Sequence, residues 1–176
     1  DDARVSETHI EQGLRSVIWP ARMQKLGPGT LANLIPKDAE LWLDGGHNPA
    51  AGRVIARAFS DINDRFSRPL VLIWGMLNTK DAGSFIEPFA GLAQRVVTIA
   101  IPGEPNAVPA DQLAEIARGR NLSAETATSL TKALGQASLT TPAPRILICG
   151  SLYLAGHVLS AHENKPMSGV SGAARR

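Results

Sequence analysis

The chain has a single cysteine, Cys149, in 176 residues. An internal disulfide framework is excluded, and this usage suits a reducing cytosol. No apolar run approaches the roughly 18 residues that a membrane span requires. The opening Asp1-Asp2-Ala3-Arg4 lacks the basic stretch and apolar block of a signal peptide. The four histidines, His9, His47, His157 and His162, form no HExxH, and without cysteine partners they indicate no zinc site. An excess of one charge sign is also missing from most of the chain. The 18 Lys and Arg exceed the 16 Asp and Glu by two, and Glu163 to Arg176 hold Lys165, Arg175 and Arg176 against one acid. The other 162 residues carry 15 basic and 15 acidic side chains. A pI near 9.0 therefore reflects a Gly-, Ser- and Ala-rich tail, and predicts no basic face for nucleic acid.

Motifs of self-sufficient catalysis are missing too. No GxxxxGK[ST] cradle for nucleotide phosphates occurs, Gly45-Gly46 does not extend to GxGxxG, and no GxSxG nucleophile elbow is present. The composition is nonetheless that of a folded domain, with 44% hydrophobic and 19% charged residues. A length of 176 residues fits one domain.

What is present is a repeating pattern of short apolar runs and amphipathic stretches. Leu41-Trp42-Leu43 leads into Asp44-Gly45-Gly46, after which Asn48-Pro49 starts a helix through about Phe66. Asn is a good cap and Pro is preformed for the first helical position. Val54, Ile55, Ala58, Phe59 and Ile62 recur at helical spacing and are expected to face a core. Leu70 to Trp74 reads as a strand ending at Gly75, with Asp81 capping a helix that buries Phe85, Ile86, Phe89 and Leu92. Arg95 to Ile101 reads as a strand, Pro109 to Arg118 as a helix, Leu122 to Ala127 as a short strand and Ser129 to Ala137 as a short helix. Arg145 to Cys149 is a last strand, followed by a helix over Leu152 to Ala161. Cys149 is expected to be an inert core residue, and His157 and His162 to lie at the surface or its boundary.

Strands that are apolar throughout belong to a parallel sheet covered on both faces. The βα repeats predict an α/β fold: a Rossmann-like, mostly parallel open sheet flanked by helices. Before it, Ser6 can cap a helix over Glu7 to Arg15. Met23 to Leu26 and Leu31 to Ile35, separated by Gly27-Pro28-Gly29, can pair as an antiparallel hairpin on one sheet edge.

Parallel α/β sheets bind ligands beyond the carboxyl ends of their strands. Three turns fall there: Asp44 to Pro49, Gly75 to Asp81, and Gly150-Ser151. Singly, each polar residue in them has a structural use. Asp44 can cap a turn, Asn48 and Ser151 can cap helices, His47 can be structural and Lys80 solvated. Jointly they can line one crevice.

Trp19-Pro20-Ala21-Arg22-Met23-Gln24, Asp44-Gly45-Gly46-His47-Asn48-Pro49, Gly75-Met76-Leu77-Asn78-Thr79-Lys80-Asp81 and Gly150-Ser151-Leu152-Tyr153-Leu154-Ala155-Gly156 follow one another in order. Over about Ser6 to Leu159 the chain resembles the C-terminal domain of bacterial folylpolyglutamate synthase/dihydrofolate synthase, within the Mur ligase superfamily. The resemblance implies part of an ATP-dependent amide ligase. Such enzymes phosphorylate a carboxylate of dihydropteroate or a folate, and the amino group of L-glutamate attacks the acyl phosphate. It implies that Arg22 contacts ATP phosphates, that Asp44 accepts ribose hydroxyls, and that His47, Lys80 and Ser151 receive glutamate. The phosphate cradle and the Mg2+ ligands are implied to lie in the family's N-terminal ATPase domain, the expected partner, so the fragment alone is expected to be inactive. Two departures stand out: Ala21 where glycine is common, and Gly27-Pro28-Gly29 lengthening the segment between Arg22 and Asp44.

The expected organisation is the end of an interdomain linker helix over 1–18, a Mur ligase C-terminal-like domain over 19–162 and a flexible tail over 163–176, in a cytoplasmic protein. Two alternatives remain: a Mur-type ligase domain adding an amino acid to a cell-wall precursor, and a non-catalytic α/β module binding a nucleotide or a partner.

Overall fold

A computed structural model of the chain describes residues 5–16 and 19–164. The expected flexible tail falls, from residue 165 onward, outside the described residues. The first helix, α1 (Glu7–Ser16), begins where Ser6 Oγ accepts the His9 amide at 3.3 Å.

Among the described residues, six strands form one sheet: β1 (Gln24–Lys25), β2 (Glu40–Leu43), β3 (Leu70–Trp74), β4 (Ala93–Thr98), β5 (Ala124–Thr126) and β6 (Arg145–Cys149). Their order is β1-β2-β6-β3-β4-β5. β1 runs antiparallel to β2 and every other pairing is parallel. The antiparallel edge is therefore real, but its partner differs from the expected hairpin. Gln24 and Lys25 pair with Leu43 and Trp42, while Ala32–Leu34 form a 3₁₀ turn. The physical reason is long-range. Leu31 is buried with Leu26, Leu41, Ile146 and Val158, so the segment after Gly27-Pro28-Gly29 serves the core, leaving β1 to satisfy the open edge of β2.

Side chains alternate across the sheet as the pleat demands. Val71, Ile73, Ile146 and Ile148 face one side, where α5 (Leu130–Ala137) and α6 (Leu152–His162) deliver Leu134, Leu154 and Val158. Leu72, Trp74, Leu147 and Cys149 face the other, under α2 (Pro49–Arg65), α3 (Ala82–Ile86) and α4 (Ala110–Arg118), which supply Ile55, Phe59, Phe85, Ile86 and Leu113. β3 and β6 are buried at every position, as central strands covered on both faces should be.

Asn48, Asp81 and Ser151 cap their helices as predicted, and Ser129 adds a cap not singled out in the sequence. Asn48 accepts the Ala51 amide, Asp81 that of Ser84, Ser129 that of Lys132 and Ser151 that of Tyr153. The Ser84 amide also holds the Asp81 carboxyl below its ordinary range. The expected strand over Arg95 to Ile101 begins and ends earlier, at Ala93 and Thr98; Ile99 and Ile101 are buried in the loop beyond it. Two side-chain expectations are corrected. Val54 is 68% exposed and not in the core. His162 is buried, with its ring against Gly29, where an added Cβ would come within 2.4 Å of Nε2.

Candidate functional site

The chain order places β6 between β2 and β3, and this builds the crevice. The turns after β2 and β3 lead into α2 and α3 on one face of the sheet, whereas the turn after β6 leads into α6 on the other. Neighbouring strands whose connections leave to opposite faces open a crevice at their carboxyl ends. Here β6 has such a neighbour on each side, so the three turns singled out in the sequence meet.

The turn after β6 is the tightest. Gly150 has φ +108°, and a Cβ there would sit 2.5 Å from the Gly75 carbonyl oxygen and 2.7 Å from Trp74 Cδ1. Only glycine suits both the conformation and the space. It delivers Ser151, which is 2% exposed and whose Oγ accepts the Tyr153 amide at 3.1 Å, keeping its own O–H as a donor.

The turn after β2 is built around Asp44, only 4% exposed. Its Oδ1 accepts the Gly46 amide at 2.7 Å and its Oδ2 accepts the Met23 amide at 2.8 Å. His47 follows, half-buried, with Nδ1 2.9 Å from the Gly45 carbonyl. A carbonyl can only accept, so Nδ1 carries the hydrogen and Nε2 holds the lone pair in the neutral ring. Arg22 is exposed and folds back, its Nη1 donating to the Ala21 carbonyl at 3.0 Å. That guanidinium lies against Gly45, where a Cβ would come within 3.0 Å of Nη1 and 2.4 Å of Leu152 Cδ2.

Two cavities flank His47. One, about 270 Å³, is lined by His47, Leu77, Thr79, Lys80, Ser151 and Tyr153 among others. The second, about 310 Å³, is lined by Arg22, Asp44, His47, Asn48, Val54 and Ile55 among others. All five residues singled out for binding thus line one or other cavity, and His47 lines both. Lys80 is exposed at the first.

Residues that sequence reasoning did not single out also line these cavities: Leu77, Thr79, Leu152 and Tyr153 in one, Val54 and Met23 in the other. Tyr153 and Leu152 lie within a motif already noted, whereas Val54 was hidden by its helical spacing with true core residues. Cys149 lies beneath, where burial, followed by the nearby Asp44 charge, pushes its thiol far up and keeps it protonated. No group of three or more His, Cys, Asp or Glu among the described residues is placed to hold a metal ion. Among the same residues, no helix is long and apolar enough to cross a membrane.

Two adjoining cavities at the switch points of an α/β sheet lie where sheets of this kind bind ligands. The chain belongs to the family described as Mur ligase, glutamate ligase domain, which it matches over residues 29–152. It is 30% identical over 150 residues to folylpolyglutamate synthase of Lacticaseibacillus casei, covering 85% of this chain and 31% of that protein. Among solved structures it resembles E. coli FolC in complex with DHPP and ADP, with a TM-score of 0.73, 22% identity, and coverage of 90% of this chain and 35% of that one. It also resembles the bifunctional folylpolyglutamate synthase/dihydrofolate synthase of Yersinia pestis complexed with AMPPNP and Mn ion, with a TM-score of 0.71, 24% identity, and coverage of 91% and 35%. The chain spans about a third of the length of these relatives.

Proposed function

We propose that this chain is the glutamate-accepting, nucleotide-closing domain of an ATP-dependent ligase that adds L-glutamate to dihydropteroate or to folates through an acyl phosphate. The observation that carries this is the junction at His47, where two adjoining cavities offer different chemistry. One has an exposed cationic guanidinium beside a carboxylate; the other has an ammonium, a hydroxyl and an imidazole within about 270 Å³.

In this reading Arg22 reaches nucleotide phosphates, since a guanidinium is permanently charged and offers paired donors. Asp44 serves the same nucleotide cavity. Lys80 and the Ser151 hydroxyl, at the N-terminus of α6, suit the carboxylates of glutamate. His47, with Nε2 as acceptor, suits its amino group and sits on the path between the two ligands. The chain's work is to align the amine with the activated carbonyl carbon; alignment of this kind supplies much of the rate of a two-substrate reaction. The phosphate cradle and the magnesium ligands are assigned to an N-terminal ATPase domain, as partner, where magnesium neutralises phosphate charge when bound. The relatives' greater length supports a second domain, and the cytoplasmic setting and the tripartite division (linker helix over 1–18, domain over 19–162, tail over 163–176) belong to the same proposal.

The test is kinetic, in a ligase that joins this chain to its ATPase domain. Each charge-assisted hydrogen bond lost costs about 1.5–3 kcal/mol, so Arg22→Ala should raise KM for ATP about 10- to 100-fold. Lys80→Ala should raise KM for glutamate by a similar factor and leave that for ATP within about twofold. The 176-residue chain alone should neither hydrolyse ATP nor form a glutamyl amide. Wild-type kinetics in both variants, or turnover by the chain alone, would sink the reading.

A further inference from the structure

A cleft of a different kind opens at the other end of the sheet, beside the amino ends of β2 and β6. Its origin is the short edge strand. β1 adds only Gln24 and Lys25 to the sheet, and it leaves one face of β2 incompletely covered. Leu41 and Leu43, facing α5 and α6, are buried, whereas Glu40 and Trp42, facing α2, are only partly so. Between that open face and the last turns of α2 lies a cavity of about 450 Å³. Trp42, Ala58, Ile62, Arg65, Phe66 and Arg145 are among the residues that line it. Small-molecule sites span about 300–1,000 Å³, so the cleft is large enough for a compact ligand.

The walls are aromatic and aliphatic, and the charge left unmatched in them is positive. Trp42 meets Phe59 edge-on with ring centroids 5.6 Å apart, and Phe66 is exposed at the end of α2. Arg145 is buried, with Nε donating to Glu40 Oε2 at 2.7 Å and Nη2 to the Phe66 carbonyl at 3.5 Å. Its Nη1 has no hydrogen bond among the described residues, yet is not sealed in, so it opens on the cavity. Arg65, exposed on the last turn of α2, has no ion pair among the same residues. The two acids of the lining are already matched. Glu40 serves Lys25 as well as Arg145, and Asp61 pairs with Arg57 at 3.0 Å. Lys25, Arg57, Arg65 and Arg145 thus face Glu40 and Asp61, and two positive charges remain.

We infer that this cleft binds a small planar aromatic carboxylate, its ring against Trp42 and Phe66 and its carboxylate on Arg145 Nη1 and Arg65. Guanidinium groups match carboxylates through paired donors, and a flat ring gains from aromatic walls beyond the area it buries. A neutral ligand leaves the surplus charge unanswered. An aliphatic acid forgoes the ring contacts. The crevice at His47 lies at the carboxyl ends of the strands and this cleft at the amino ends of β2 and β6. The inference is therefore independent of the ligase reading.

The test is a titration of the 176-residue chain with 2-naphthoate and with its uncharged isostere, 2-naphthamide. Calorimetry gives the affinities, and NMR spectra of the indole and amide N–H groups locate the probe. Naphthoate should saturate a single site and shift the Trp42 indole N–H, and naphthamide should bind at least about tenfold more weakly. Arg65→Gln should weaken naphthoate about 3- to 10-fold and leave naphthamide within about twofold. Arg145→Lys keeps a charge for Glu40 but removes the Nη1 donors, and should weaken naphthoate about tenfold or more. The β3 amides report whether that buried substitution still folds; if it does not, the exposed Arg65→Gln and the comparison of isosteres decide. No saturation by naphthoate, equal affinity for the two probes, or wild-type naphthoate affinity in Arg65→Gln overturns the inference. Shifts confined to His47, Lys80 and Tyr153 place the probe in the crevice and overturn it too, with the ligase reading untouched. Loss of the ligase reading through the kinetics of Arg22→Ala and Lys80→Ala leaves this site standing.

Discussion

Ala21 occupies a position where three small energies oppose one another. Its φ of +54° costs about 1–2 kcal/mol for an L residue, which glycine would remove. Against that, its methyl is 97% buried, as its 3% exposure shows, and a buried methyl contributes about 0.8 kcal/mol. Glycine also loses about 0.5–1 kcal/mol more chain entropy on folding. These nearly cancel, so Ala21→Gly should change stability by less than about 1 kcal/mol. Ala21→Val should cost about 2 kcal/mol or more, because a β-branched side chain is least tolerated at positive φ. Urea titration of both variants checks the contrast; a strongly destabilised glycine variant would show that the methyl's packing dominates the turn.

Secondary-structure elements show the same tension between local preference and distant neighbours. Glycine inside a helix ordinarily costs about 1 kcal/mol relative to alanine. Gly52 in α2 reverses that expectation, because a Cβ there would lie 2.3 Å from the Phe85 carbonyl oxygen of α3. Gly52→Ala should therefore lower the thermal midpoint by several degrees, about 1–3 kcal/mol of overpacking; a raised midpoint would show that α2 and α3 can separate freely. Features of this local kind were the readable ones. Asn48-Pro49, Asp81 and Ser151 announced helix starts because a cap bonds an amide two or three residues away. All three strand-end turns could be placed on one edge, since parallel strands share a direction. Val54 was misread because helical spacing does not separate a core face from the wall of a crevice. The pairing of β1 was misread because Gly27-Pro28-Gly29 is a sound local hairpin signal, while the competing edge of β2 lies some 17 residues on. His162 was unreadable for a similar reason: its neighbour Gly29 comes from the far end of the chain.

At the scale of the sheet, the amino ends of β2 and β6 are tied by charge. Arg145, 2% exposed, donates through Nε to Glu40 Oε2 at 2.7 Å, while Lys25 Nζ reaches Oε1 at 2.9 Å and Trp42 Nε1 reaches Oε2 at 3.1 Å. Burial opposes the charge on Glu40, but the bonds from Lys25, Arg145 and Trp42 outweigh it and bring its carboxyl from an ordinary 4.5 down to about 2. A carboxyl lowered in the folded state stabilises it fully above the unfolded value and loses that contribution as pH falls towards the folded one. Wild type should therefore lose stability between pH 4.5 and about 2, the contribution to which Glu40→Gln should be blind. At pH 7 that variant should be less stable by about 1.5–3 kcal/mol, and the gap between the two proteins should narrow on acidification. Urea melts at pH 7 and pH 3 decide; a constant gap would remove Glu40 from the acid response. The strand that brings Arg145 to Glu40 has a consequence for how the protein is made. β6 pairs with β2 on one side and β3 on the other, yet of the six strands among the described residues it is the last to leave the ribosome. Until it does, β2 and β3 have no common backbone partner, and the crevice has no floor. A nascent chain ending before Arg145 holds two unjoined pieces of sheet with open edges, so assembly of the fold and assembly of the site become one late event.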